Sequence, residues 1–221
     1  DRTFNVQKGS QTIAFAAIPT HTLGDPPFGV SATASSGLAV SFGSLTPPVC
    51  TVSGSTVTIV AAGTCTIRAS QPGDSNWLAA PDVDRSFAVS KTAQTITFAA
   101  LPNRTYGDPP FAVSATASSG LAVAFASLTP QVCSVSAATV TIAAAGTCTI
   151  RASQAGDAQY AAAADVDRSF AVARVTTSVA ASAAPPSSVF GQPVMLSATV
   201  SGGNAPAGTV TFLEGTTTVT T

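Results

Sequence analysis

Val49-Cys50-Thr51-Val52-Ser53-Gly54-Ser55-Thr56-Val57-Thr58-Ile59-Val60, continued by Ala61-Ala62-Gly63-Thr64-Cys65-Thr66-Ile67-Arg68-Ala69, alternates apolar and polar residues with few breaks. A period of two marks a half-buried strand, so the run reads as a hairpin turning at Gly54-Ser55 and then a third strand. A two-residue loop there sets Val52 opposite Val57 and Cys50 opposite Ile59, and all four side chains point to one face. Cys65, Ile67 and Ala69 line one face of the next strand. The cysteines share the apolar phase. The whole stretch returns as residues 132–152, with Cys133 and Cys148 in the same places.

Laid on itself at a shift of 83 residues, the sequence matches from Gln11 against Gln94 onward without a gap, and about 60 of the 83 aligned positions are identical. This defines two units, residues 11–93 and 94–176. The same shift sets Asp1-Arg2-Thr3-Phe4-Asn5-Val6 beside residues 84–89 and 167–172. Residues 1–10 therefore read as the last strand of a preceding copy plus a linker, and the chain as a window on a longer array. After Arg174 the match weakens and then stops. Residues 177–221 keep the β-pattern without cysteine: strand 177–181, Pro185-Pro186, Phe190-Gly191-Gln192-Pro193, strand 194–200, a turn at Gly202-Gly203-Asn204 and strand 208–213. They read as a truncated module of another subtype, with about four strands and too little surface to close a core alone.

Within a unit the reading is all-β. Residues 11–15 open it. Thr22-Leu23-Gly24-Asp25-Pro26-Pro27 is an edge crossing or turn, because paired prolines lack ladder donors. Residues 28–35 and 38–45 form the second and third strands, the hairpin and its successor the fourth to sixth, and residues 83–89 the seventh. Seven short strands with turn signals roughly every ten residues predict a two-sheet antiparallel sandwich. In the second unit Ala137-Ala138 replaces Gly54-Ser55, which keeps the hairpin's place and leaves its turn type open.

Composition narrows the function classes. Charged residues are 9% of the chain and the net charge is -1, which leaves no basic field for nucleic acid. No apolar run approaches the roughly 18 residues of a spanning helix, so no membrane insertion is expected in this segment. One cysteine pair per unit, without histidine or further cysteine nearby, fits an oxidising extracytoplasmic setting better than a zinc site. Its alternative is two buried free thiols per unit. In-phase placement pairs Cys50 with Cys65 and Cys133 with Cys148, each closing a loop of about 15 residues.

Both full units resemble the immunoglobulin-like repeats of large bacterial surface proteins. The pattern that carries the resemblance is Gln-Thr-Ile-x-Phe, Gly-Asp-Pro-Pro-Phe, Ser-Ala-Thr-Ala-Ser-Ser-Gly-Leu, Ala-Ala-Gly-Thr-Cys-Thr-Ile and the closing Ser-Phe-x-Val. It covers residues 1–176. Through Phe190-Gly191-Gln192-Pro193-Val194 and Gly208-Thr209-Val210-Thr211-Phe212 the tail is similar to another bacterial immunoglobulin-like subtype. The resemblance implies an extracellular stalk, spacer or adhesive region and transfers no catalytic residue. In antibody-type domains the disulfide links the second and sixth strands; here both cysteines lie in the second half of the unit.

The residues that could do chemistry point the same way. The single histidine, His21, becomes Arg104 in the second unit, so no histidine-based catalysis is expected. Asp25, Asp74, Asp82 and Asp84 recur as Asp108, Asp157, Asp165 and Asp167; Asp25 and Asp74 fit turn capping. Asp82 and Asp84 could seat calcium only with several further oxygens, and a solvated strand end is the simpler reading. Asn103-Arg104-Thr105 is a formal glycosylation acceptor whose counterpart is broken by Thr20. Trp77 and Tyr160 could stack on a sugar but read as core plugs, with Leu78 beside Trp77. If the sixth and seventh strands are neighbours, as the immunoglobulin order implies, Arg68 is expected to form an exposed pair with Asp84, and Arg151 with Asp167; Arg85 and Arg168 are expected to cover the sandwich end with their heads in water.

The expectation is therefore a structural, non-enzymatic segment without cofactor or metal. Its partners are the neighbouring repeats of the same chain, with self-assembly or a glycan or protein ligand left open. Between strands at Val89 and Gln94 lie only Ser90-Lys91-Thr92-Ala93, too short and too poor in glycine for a flexible tether. Modules should stack lengthwise into an extended rod, each advancing the axis by about 35 to 40 Å.

Overall fold

The computed structural model describes residues 6–202, 209–214 and 216–218, and all its regular elements are strands. Residues 1–5, expected as most of a preceding strand, lie outside the described residues, and residues 6–8 form no strand. Backbone contacts group the chain into two compact units. One is Asp1–Ile96 with Ala117–Ala122 and Gln154–Ala164, and it holds all of the first copy. The other is Thr97–Thr116 with Val123–Ser153 and Asp165–Thr221.

The first copy contains β1 (Ile13–Phe15), β2 (His21–Thr22), β3 (Phe28–Gly29), β4 (Ala32–Ala34), β5 (Ser41–Ser44), β6 (Cys50–Ser53), β7 (Thr56–Ile59), β8 (Gly63–Ser70) and β9 (Val83–Ser90). They form a four-stranded sheet β2-β9-β8-β5, a three-stranded sheet β3-β7-β6 and the pair β1-β4. The hairpin register sets Cys50 against Ile59 and Val52 against Val57. Cys50, Val57, Cys65, Ile67 and Ala69 are fully buried, and Ile13, Phe15, Phe87 and Val89 close the core around them.

The second strand differs from the expected single run 28–35. It breaks at Val30-Ser31 into β3, which pairs with β7, and β4, which pairs with β1. Val30 is buried and its N–H donates to the Ser55 carbonyl, so the break turns one strand between two neighbours without leaving that amide unpaired. The third strand is also shorter than expected, 41–44 against 38–45. The crossing before Pro26-Pro27 holds β2, a two-residue parallel addition to the outer edge of β9.

The second copy repeats the plan in β10 (Ile96–Phe98), β11 (Arg104–Thr105), β12 (Phe111–Ala112), β13 (Ala115–Ala117), β14 (Ala124–Ser127), β15 (Cys133–Ser136), β16 (Thr139–Ile142), β17 (Gly146–Ser153) and β18 (Val166–Ala173). Its sheet orders are β11-β18-β17-β14, β12-β16-β15 and β10-β13, the same as in the first copy. The hairpin turns are settled by φ. Gly54 has φ 61° and Ala137 φ 53°, while Ser55 and Ala138 keep negative φ, the pattern of a type II′ turn. Glycine holds that position without a Cβ clash; alanine holds it under strain.

In the tail, β19 (Ser178–Ala184) and β20 (Met195–Ser201) form an antiparallel hairpin, and β21 (Leu213–Glu214) pairs with β22 (Thr217–Thr218). The expected strand 208–213 is not formed over its described residues 209–212. Most of the expected turn 202–204 lies outside the described residues. No helix among the described residues is long and apolar enough to cross a membrane.

Candidate functional site

In each copy a disulfide joins the two sheets: Cys50 on β6 to Cys65 on β8, and Cys133 on β15 to Cys148 on β17, with Cα atoms 5.7 Å apart in both. The four cysteines are fully buried. Hydroxyls of Ser44 and Thr46 lie 3.4 and 3.6 Å from Cys50 Sγ, and the Thr66 N–H donates to Thr46 Oγ1. The link joins the fourth and sixth of the seven main strands.

The charged residues sort into an outer row. Arg68 stands opposite Asp84 in the β8-β9 register and donates through Nε and a terminal nitrogen to both carboxylate oxygens, at 2.8 and 2.9 Å. Asp82 reaches the same guanidinium at 3.4 Å. Arg151 repeats this with Asp167 and Asp165. The hydrogen bond to the guanidinium holds the Asp84 and Asp167 carboxyls below the usual range and raises both arginines. Asp82 and Asp84, considered above for calcium, both face that cation. No group of three or more metal-ligating side chains occurs among the described residues.

Arg85 is half-buried and Arg168 exposed, and each ties one guanidinium nitrogen, Nε, to a neighbouring strand. The Arg85 Nε donates to the Phe15 carbonyl at 2.9 Å, tying β9 to β1, and the Arg168 Nε donates to the Phe98 carbonyl at 2.8 Å. Asp25 accepts from the Thr22 N–H at 2.9 Å and stands 3.2 Å from His21 Nδ1; the backbone bond first, then the histidine, lowers its carboxyl. His21 stacks on Phe28 with ring centres 4.0 Å apart, and its counterpart Arg104 lies 4.2 Å above Phe111. Imidazole and guanidinium are both flat and stack on an aromatic face, which explains an exchange that looks drastic in sequence. Asn103 accepts the Ala171 N–H through Oδ1, so the formal glycosylation acceptor pairs a strand edge.

The loop between β8 and β9 holds what the sequence reading missed. Gln11 and Gln71 are both buried; Gln11 Nε2 donates to Gln71 Oε1 at 2.6 Å and to the Leu78 carbonyl at 2.7 Å, and Ser36 Oγ donates to Gln11 Oε1. Gln94, Gln154, Ala161 and Ser119 repeat the set. The signal was present: each glutamine continues the apolar phase of its strand, Gln11 before Ile13 and Phe15, Gln71 after Ile67 and Ala69. A polar group on an inward phase requires partners. Asp74 caps the loop, accepting from the N–H groups of Asn76 and Trp77, and Asp157 does so from Gln159 and Tyr160, which lowers the Asp157 carboxyl.

Trp77 and Tyr160 are not core plugs. They are half-buried against the linker that precedes their own copy, through parallel bridges Gly9 to Trp77 and Thr92 to Tyr160, and Leu78 is 52% exposed. Lys8 Nζ donates to the Asp74 carbonyl at 2.6 Å and Lys91 Nζ to that of Asp157. Thr92 also donates through Oγ1 to the Leu23 carbonyl at 2.7 Å, and Leu23 N–H donates to the Ser90 carbonyl. All these contacts fall inside the first compact unit. A groove of about 310 Å³ opens beside β1 and β3, lined by Phe15, Ile18, Pro19, His21, Phe28 and Val30.

No protein-family model matches the chain, and no curated protein does. Among solved structures, it is similar to Drosophila N-cadherin EC1-3, at 12% identity over 77% of this chain and 70% of that one, with a TM-score of 0.29. Domains 1-6 of the surface layer protein SbsC give 14% identity over 96% of this chain, which spans 40% of theirs, with a TM-score of 0.31. SbsC domains 4 and 5 give 19% over 65% and 82%, with a TM-score of 0.27. A likeness at such TM-scores decides neither fold nor role.

Proposed function

We propose that the chain is a structural stalk or spacer segment of an extracellular bacterial surface or filament protein. In this reading it is an extended rod of tandem immunoglobulin-like sandwiches and has no catalytic role. The strand order supports the module type. With β3 and β4 taken as one interrupted strand and β2 as an edge addition, β1, β4/β3, β7 and β6 oppose β5, β8 and β9, the neighbours of an immunoglobulin constant-type sandwich. A buried disulfide in each copy suits an oxidising exterior. The observation that carries the spacer reading is the linker: Lys91-Thr92 is hydrogen-bonded to residues of both copies instead of hanging free. Small-angle scattering of the whole chain tests it. A maximum dimension beyond about 70 Å is expected from two modules end to end; a value typical of one globule of the same mass overturns the reading.

A second reading, an adhesive module for a glycan or partner protein, is favoured by the aromatic-lined groove beside β1 and β3, whose volume suits a small ligand. A glycan and protein binding screen with the whole chain separates the two. A specific ligand whose binding is lost in Phe28→Ala reverses the order of preference.

A further inference from the structure

The linker residues and the loops that hold them vary together. Gly9 N–H donates to the Asn76 carbonyl and Leu78 N–H to the Gly9 carbonyl, both at 2.8 Å; in the second copy Thr92 takes the same pair from Gln159 and Ala161, both at 2.9 Å. The backbone clasp is thus the same in the two copies. The side chains that meet across it are not. Gly9 faces Trp77, and a Cβ built on it would stand 2.8 Å from Trp77 Cζ3 and 3.0 Å from Cε3. Carbon atoms do not approach so closely without displacement. Gly9 has no left-handed φ, so a side chain at that position is opposed by the indole, which would have to shift, and not by the backbone. Opposite Tyr160, in the same backbone bridge, the linker carries threonine, whose hydroxyl donates to the Leu23 carbonyl.

We infer that residues 9 and 77, and residues 92 and 160, are size-matched pairs by which the loop between the last two strands of a copy selects the linker that precedes it. A tryptophan loop accepts a glycine linker and rejects a β-branched one; a tyrosine loop accepts threonine. The discrimination works by exclusion, since the hydrogen bonds are common to both linkers. The partner recognised is a linker of the same chain, Lys followed by the size-selected residue two positions before the opening glutamine. The matching makes the linker part of the copy that follows it, whatever the array carries or binds.

The test uses the whole chain and its only tryptophan. Gly9→Thr should cut hydrogen-exchange protection of the Leu78 amide by roughly tenfold and shift Trp77 emission to the red, as the indole is pushed off the linker. Adding Trp77→Tyr to Gly9→Thr should restore the protection, because it rebuilds the pair found in the second copy. The reciprocal series covers a first copy that fails to fold: Tyr160→Trp should lower protection of the Ala161 amide, and Thr92→Gly in the same chain should recover it. Unchanged protection in both single variants, or double variants no better protected than the singles, overturns the inference.

Discussion

Two positions decide more than their sequence suggests. Ala137 sits at φ 53°, where the first copy has Gly54 at φ 61°. A left-handed conformation costs an L-residue about 1 to 2 kcal/mol, partly offset because alanine loses less chain entropy than glycine on folding. Ala137→Gly should therefore stabilise the second copy by up to about 1 kcal/mol, read as slower exchange of the Val140 amide; a loss of protection would show the turn to be relaxed as it stands. The buried glutamine pair works in the opposite direction. Gln11→Ala removes the donor to the Leu78 carbonyl and one of the two donors to Gln71 Oε1, which keeps the Gly73 N–H, and a buried group without its partner costs about 1 to 3 kcal/mol. Denaturant unfolding followed at Trp77 should show that drop. The same loop holds the linker, so Trp77 emission should shift as well.

At the scale of the element, hydrophobic phase was the informative signal and its exceptions marked the remaining contacts. Alternation with a two-residue turn placed Cys50 against Ile59, and alternation together with the immunoglobulin strand order placed Arg68 against Asp84; both registers hold. It could not show that residues 28–35 break at Val30-Ser31, because the break keeps the phase on either side. It also could not show Arg85 reaching the Phe15 carbonyl, a bond between residues 70 apart in sequence. Two tests belong here. If each copy is locked as Cys50–Cys65 and Cys133–Cys148, unreduced protein takes up no alkylating reagent, and reduction lowers stability by about 3 kcal/mol per 15-residue loop on the chain-entropy model. The second test concerns acid. Asp84 and Asp167 are lowered by their arginines, Asp25 chiefly by the Thr22 N–H, and Asp157 chiefly by the Tyr160 N–H. A carboxyl with a depressed folded pKa contributes stability above its unfolded value, near about 3.9, and loses it as pH falls through the lower folded value. Melting temperature should stay level from pH 7 to about 5 and fall below about 4, less steeply in Asp84→Asn; a fall already complete at pH 5 contradicts this assignment.

For the chain as a whole, the repeat of 83 residues was the decisive reading, because a pattern seen twice at one spacing defines a folding unit before any strand is placed. What stayed hidden was how a unit holds its neighbouring linker. That contact depends on the side-chain size of Gly9, Thr92, Trp77 and Tyr160 across a loop, and no periodicity reports it. The tail shows the limit of pattern from the other side. On the β19-β20 hairpin one face carries Val179, Ala181 and Ala183 opposite Val200, Ala198 and Leu196, and the other carries hydroxyl pairs Ser178 with Ser201 and Ser182 with Ser197. The second face also carries Ala180, Ala184 and Met195, and on the first Val179 is 58% and Leu196 42% exposed, since among the described residues no second sheet covers that face. A lone two-stranded hairpin is marginal in water, while each copy has a buried core and a cross-sheet disulfide. Amides of residues 178–184 and 195–201 should therefore exchange within the shortest labelling times, and a protease at low concentration should cut between residues 185 and 202 before it touches residues 11–173. Protection there equal to that of β8 and β17 would mean that the apolar face is covered in solution.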